Sequence, residues 1–107
     1  VELGAGSVVF AGAVIQPGCR LGEHVIVNTG ATVDHDGVLA DFVQVCPGAH
    51  LAGTVRLDEG VFVATGASLV PGIRVGAWST VAAGAVVLDD LPPGVIAMGV
   101  PAGFSRR

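Results

Sequence analysis

The chain contains no lysine and no tyrosine, and only 13% of its 107 residues are charged. All five basic residues are arginine, none clusters beyond Arg106-Arg107, and the net charge is −4. Proteins that hold a nucleic-acid backbone concentrate positive charge, so this balance argues against nucleic acid as a partner. Long apolar runs are missing too. Although 51% of the residues are hydrophobic, Gly, Pro or a polar residue interrupts them every few positions. A spanning helix needs about 20 consecutive apolar residues, so no membrane span is expected. No signal peptide is visible at the start. The two cysteines, Cys19 and Cys46, form no CxxC. They fit small buried thiols in a reducing, cytoplasmic compartment better than a disulfide framework.

What is present is a period. Positions 3, 9, 15 and onward by sixes to 87 are all Leu, Ile or Val. That period is neither the alternation of an ordinary sheet nor the 3.6 of a helix, and it marks a repeat. Three positions after the aliphatic residue, nine of fourteen units carry Gly, which supplies the backbone freedom of a sharp turn. Each unit therefore reads as one short strand and one corner.

A longer period overlies the first. Gly-Ala recurs at 12–13, 30–31, 48–49, 66–67 and 84–85, a spacing of 18 residues. Eighteen residues make three hexapeptides, so the same corner returns once per coil and the cross-section is a triangle. Coils pair as parallel strands about 4.8 Å apart. The expected fold is all-β, a parallel β-helix of about five coils. An antiparallel sandwich does not hold such a register over five turns. The expected prism covers 1–88, and 89–107, opening with Asp89-Asp90-Leu91-Pro92-Pro93-Gly94, is a C-terminal cap or tail. The chain starts at Val1 without Met and enters the repeat at once. It reads as part of a longer protein whose N-terminal portion is missing.

Register sorts the outward residues. One face carries Val8/Phe10, Ile26/Asn28, Gln44/Cys46, Phe62/Ala64 and Thr80/Ala82. It is too apolar for water over five coils, and is expected to pack against further copies, giving a trimer. Another face places Arg20, Arg56 and Arg74 in one column. Stacked like charges are unfavourable unless an acid or anion is near. Two arrangements satisfy them: pairing with Asp58 and Glu59, or contact with ligand phosphates.

The exceptions to the turn pattern are the candidates for chemistry. His35 and Asp36 stand where other coils carry Pro17-Gly18 and Pro71-Gly72, and position 53, one coil on, is Gly. No side chain covers His35 there, so a small molecule could approach it. Histidine titrates near neutral pH and is the commonest general base. An adjacent carboxylate can orient the ring. The competing reading is an exposed corner His with a capping Asp. His24 shares a corner column with Phe42 and Trp78 and reads as structural; His50 reads as outward, near a neighbouring subunit. The histidines form no H-x-H pair, so metal is not expected, and a hydratase of the gamma-carbonic-anhydrase type has weak support. No Gly-rich phosphate loop between strand and helix exists, because each Gly has a corner role.

The hexapeptides resemble the left-handed β-helix acyltransferase superfamily. The stretch Asn28-Thr29-Gly30-Ala31 through His35-Asp36, with Gly48-Ala49, Gly53 and Gly99-Val100-Pro101-Ala102, is similar to the C-terminal domain of sialic-acid O-acetyltransferase-like and bacillosamine N-acetyltransferase-like enzymes. The left hand of the helix is implied by that resemblance alone, since the usual crossover rule favours the right. The resemblance further implies a homotrimer using acetyl-CoA, with active sites between adjacent prisms. His35 would be the base that deprotonates an amine or hydroxyl of a sugar or nucleotide-sugar, and Asp36 would orient it. The Gly53 N–H would hold the acetyl group or its oxyanion. Gln44 stands where some relatives have a His near the thioester. The CoA arm would pass Thr65 and Ala83. The resemblance also implies an N-terminal sugar-binding domain, expected to be missing from this stretch of the protein. A non-catalytic trimerising scaffold is the alternative.

Overall fold

The computed structural model describes residues 1–106, and among them there are only strands and turns. Arg107, the last residue of the expected cap, lies outside the described residues. From Glu2–Leu3 to Val86–Val87 the strands are two residues long and recur every six, and each ends on the aliphatic residue of its hexapeptide. The corner that follows is left-handed. Nine corner glycines from Gly6 to Gly84 have positive φ, and so do the five residues that replace Gly in this column: His24 (55°), Asp36 (58°), Phe42 (64°), Thr54 (59°) and Trp78 (61°). Gly adopts that conformation freely, whereas other L-residues carry strain there.

Three parallel sheets form the walls of the prism. The first stacks Glu2–Leu3, Arg20–Leu21, Val38–Leu39, Arg56–Leu57 and Arg74–Val75. The second stacks Val8–Val9, Ile26–Val27, Gln44–Val45, Phe62–Val63 and Thr80–Val81. The third stacks Val14–Ile15, Thr32–Val33, His50–Leu51, Ser68–Leu69 and Val86–Val87. Residues 18 apart are partners throughout, as in Arg20↔Val38 and Val27↔Val45. Main-chain bonds such as Gly22 N–H to Leu39 C=O (2.8 Å) tie each coil to the next. The fold is thus the expected all-β prism of about five coils.

The aliphatic hexad residues fill the interior as three columns. Leu39 and Leu57, Val45 and Val63, and Leu51 and Leu69 are all at most 2% exposed. Full burial of such a side chain is worth about 1.5–3 kcal/mol. In the first described coil, Leu3 and Val9 hold the same inward register and are 53% and 38% exposed. At the other end, Leu91 bridges to Val75 and is buried. Val95–Met98 joins the second sheet beside Thr80–Val81, and Gly103–Arg106 pairs antiparallel with it.

The outer faces follow the register. Val8, Phe10 and Phe62 leave large apolar side chains exposed on the second sheet and its rim. On the first sheet, the Arg column is paired with carboxylates: Arg20 with Glu2 at 3.0 Å, and Arg56 and Arg74 with Asp58 at 3.7 and 3.3 Å. Asp58 is the partner expected from the sequence. Glu2 was not foreseen, and Glu59 makes no ion pair among the described residues. Such exposed pairs add little stability; they remove the repulsion of stacked arginines.

Candidate active site

The third sheet ends one of its coils at Val33, and the chain turns through Asp34, His35, Asp36 and Gly37 to the first sheet at Val38. The corner is anchored locally and to both neighbouring coils. Asp34 Oδ1 accepts the His35 N–H at 2.8 Å. The Asp36 N–H donates to Pro17 C=O at 3.1 Å, and His35 C=O accepts the Thr54 N–H at 2.9 Å. With its backbone held from below and above, the corner projects two side chains outward. His35 Nδ1 lies 3.2 Å from Asp36 Oδ2, and both side chains are about two-thirds exposed. A carboxylate at Nδ1 favours the Nδ1–H tautomer and leaves the Nε2 lone pair available.

Two glycines make room for this pair. A Cβ at Gly53 would overlap Nε2 of His35, so the ring lies directly against that α-carbon. A Cβ at Gly18 would overlap Asp36 Oδ1. The carboxylate therefore folds over the coil below while the imidazole leans on the coil above. The Pro-Gly residues of the equivalent corners offer no such pair. The Gly53 N–H has no acceptor among the described residues and points to no strand partner.

The other residues singled out from the sequence lie elsewhere on the prism. Gln44 is exposed on the second sheet, the wall opposite the corner of His35. Thr65 and Ala83 occupy the corner between the second and third sheets, and their N–H groups also lack acceptors within the described residues. One chain brings together His35, Asp36 and Gly53 and keeps Gln44, Thr65 and Ala83 apart from them. His24 stacks on Phe42 with centroids 5.6 Å apart, the bulky structural corner its column suggested. His50 is outward, with Nδ1 2.8 Å from Thr32 Oγ1. It lines a shallow groove of about 390 Å³ on the third sheet that runs to Asp34. Among the described residues no three His, Cys, Asp or Glu side chains converge.

No family model matches the chain, and no curated protein matches it. Solved structures do. The acetyltransferase domain of PglB from Neisseria gonorrhoeae FA1090 is 48% identical with a TM-score of 0.94, over 95% of this chain and 50% of that one. The same domain has been solved in complex with acetyl coenzyme A. A mutant of perosamine N-acetyltransferase from Caulobacter crescentus, in complex with CoA and GDP-perosamine, is 42% identical with a TM-score of 0.97, over 99% of this chain and 50% of that one. WeeI from Acinetobacter baumannii AYE is 28% identical with a TM-score of 0.92, over 97% and 51%. The chain spans about half the length of each of these structures.

Over nearly its whole length the chain is similar to hexapeptide-repeat acetyltransferases. Its prism is a left-handed β-helix. Within this prism, three residues around the corner were not anticipated. Asp34 caps the His35 N–H, and an Asx residue opening a turn is the signal that could have revealed it. Thr54, a β-branched residue at φ 59°, sits above Asp36 in the corner column and donates its hydroxyl to Gly53 C=O at 2.6 Å. A Thr in a column of glycines was visible in the sequence. Cys19 was read only as a buried thiol, yet it lies under this corner and contacts its backbone.

Proposed function

We propose that the protein is an acetyl-CoA-dependent acetyltransferase acting on an amine or hydroxyl of a sugar or nucleotide-sugar. The observation that carries this reading is the exposed His35–Asp36 pair, held between two coils at the one corner where glycines leave room for it. His35 Nε2 takes a proton from the acceptor N–H or O–H. The freed lone pair attacks the thioester carbonyl carbon of acetyl-CoA. Collapse of the tetrahedral intermediate breaks the C–S bond, and the imidazolium returns its proton to the departing CoA thiolate. Asp36 keeps the ring oriented through Nδ1, and the free Gly53 N–H is available to the developing oxyanion.

The residues assigned to acetyl-CoA complete the site only if prisms assemble. Gln44 and the corner of Thr65 and Ala83 face away from His35 in a single chain, so a neighbouring copy must supply them. We place the assembly as a homotrimer packed through the apolar outer face of the second sheet. Gln44 donates a hydrogen bond near the thioester, and the free N–H groups at Thr65 and Ala83 meet the CoA arm. Residues 1–88 are the acetyl-transfer prism and 89–107 its cap; a preceding domain selects the nucleotide-sugar. The protein works in the cytoplasm, where the thiols of Cys19 and Cys46 stay reduced. Among the described residues no helix is long and apolar enough to cross a membrane.

The test is His35→Ala in the full-length protein, assayed for acetyl transfer from acetyl-CoA to amino-sugar nucleotides. Loss of about 10²–10⁴-fold in kcat is expected for a general base. Turnover at the wild-type rate rejects the reading. Absence of acetyl-CoA binding by calorimetry would leave the scaffold in its place.

A further inference from the structure

Corners of this prism differ in how their ends are joined. In some, the last N–H of the turn donates to the first C=O, as from Ala13 to Phe10 (3.2 Å) and from Ala31 to Asn28 (3.1 Å). At 16–19, 52–55 and 70–73 that bond is not made and nothing replaces it among the described residues. In three corners it is not made and a side chain from the coil below is inserted between the two groups. Ser7 Oγ donates to Gly22 C=O at 2.7 Å and accepts the Val25 N–H at 3.0 Å. Ser79 Oγ does the same for Pro92 C=O (2.7 Å) and the Val95 N–H (3.1 Å). The third case is the corner of His35. Cys19 Sγ donates to Asp34 C=O at 3.0 Å and accepts the Gly37 N–H at 3.3 Å. Cys19 is 1% exposed.

We infer that Cys19 is a positioning residue for His35 and Asp36: its thiol bridges the two ends of the 34–37 turn and so fixes where the pair projects. This rests on the acetyl-transfer reading of His35. The physical argument has three parts. Asp34 and Gly37 are the two ends of the segment that carries the pair, and their inward polar groups meet only the thiol. A thiol bonded to both ends holds their separation, which nothing fixes in the other corners of the same column. The pair is otherwise held only by backbone bonds to Pro17 and Thr54 and by the Asp34 cap. Removing the sulfur leaves the Asp34 C=O and the Gly37 N–H without their partner and the two ends of the turn free to shift, and that movement displaces the ring.

Ser7 shows that a hydroxyl can occupy the same bridge, which supplies the conservative variant. The experiment compares Cys19→Ala, Cys19→Ser and Ser7→Ala in the full-length protein. Ser7→Ala removes an equal bridge from the corner of His24, remote from the pair. For Cys19→Ala, kcat for acetyl transfer is expected to fall about 10- to 100-fold, with KM for acetyl-CoA within about twofold, since displacement of a reacting group costs rate more than binding. Cys19→Ser and Ser7→Ala are expected to keep kcat within about threefold of wild type. Wild-type kcat in Cys19→Ala overturns the proposal. So does an equal fall in Cys19→Ser, or in Ser7→Ala, which would mean loss of coil stability alone. A second measurement is independent of turnover. Amide hydrogen exchange should show Gly37 deprotected in Cys19→Ala and protected in Cys19→Ser; equal protection in both overturns the bridge. A wild-type protein that transfers no acetyl group defeats the acetyl-transfer reading and leaves the exchange result to stand or fall separately.

Discussion

The imidazole of His35 lies against the α-carbon of Gly53 in the next coil, so closely that a side chain there would occupy the place of Nε2. Position 53 is in the third slot of its corner, where φ is not left-handed. Its glycine is therefore required by the neighbouring ring rather than by its own backbone. Gly53→Ala should leave the fold intact and swing the ring outward. The expected outcome is a fall in kcat of about 10²-fold, in the range of general-base loss, with an unchanged thermal melt by circular dichroism. A melt lowered in step with activity would count against it.

Asp36 holds Nδ1 of that ring from a left-handed backbone position at φ 58°. Asn tolerates the same conformation, so Asp36→Asn isolates the carboxylate charge from the turn. An orienting role predicts a fall of about tenfold in kcat, at the low end of general acid–base contributions, with KM for acetyl-CoA little changed. Steady-state kinetics decide it.

Assembly is the condition under which Gln44, Thr65 and Ala83 can meet His35. Phe62 is exposed at the centre of the second sheet. Phe62→Asp places a charge on the face proposed to bury itself in the trimer. Light scattering should report a mass of three chains for the wild type and one for the variant, and the variant should lose acetyl transfer. A wild-type monomer would remove the shared site.

Stability should follow burial. Leu51 is 1% exposed inside the prism, whereas Leu88, just after the last strand of the third sheet, is 50% exposed. Leu51→Ala is expected to cost about 2–5 kcal/mol. Leu88→Ala should cost about 0.5 kcal/mol or less, as at exposed sites. Chemical denaturation of both variants checks the contrast.

Burial pushes the Cys46 thiol above its ordinary range. A raised pKa keeps the thiol protonated through neutral pH, so iodoacetamide should alkylate Cys46 more slowly at pH 8 than it does free cysteine. The half-maximal rate should come at a higher pH than for free cysteine. The same shift means that the folded state loses stability as pH rises past the unfolded thiol pKa, because only the unfolded chain ionises there. An alkylation profile matching free cysteine would refute the shift.

Much of this architecture was legible because the repeat is its own ruler. A hexad aliphatic residue at 45 or 63 must point inward if its strand is to bury anything, and the 18-residue return of Gly-Ala leaves three walls as the only closure. His35-Asp36 stood out because two turn formers had been replaced together. Less legible were contacts that depend on which rotamer a side chain takes across a coil. Glu2 rather than Glu59 pairs with the Arg column, since it faces Arg20 directly in the first sheet. Asp34 turns one carboxylate oxygen to the backbone of His35.

By itself, the sequence determined the period, the inward columns, the all-β class and the corner that carries the His–Asp pair. These follow from local strand geometry repeated at constant spacing, so each unit constrains the rest. Only the tertiary structure decided that His35 rests on Gly53, that Cys19 bonds to both ends of the turn that carries it, and that Gln44 faces away on the opposite wall. Those relations join residues fifteen to eighteen apart or on different walls. They are set by how coils stack and how side chains fill the space between them, which no spacing along the chain prescribes.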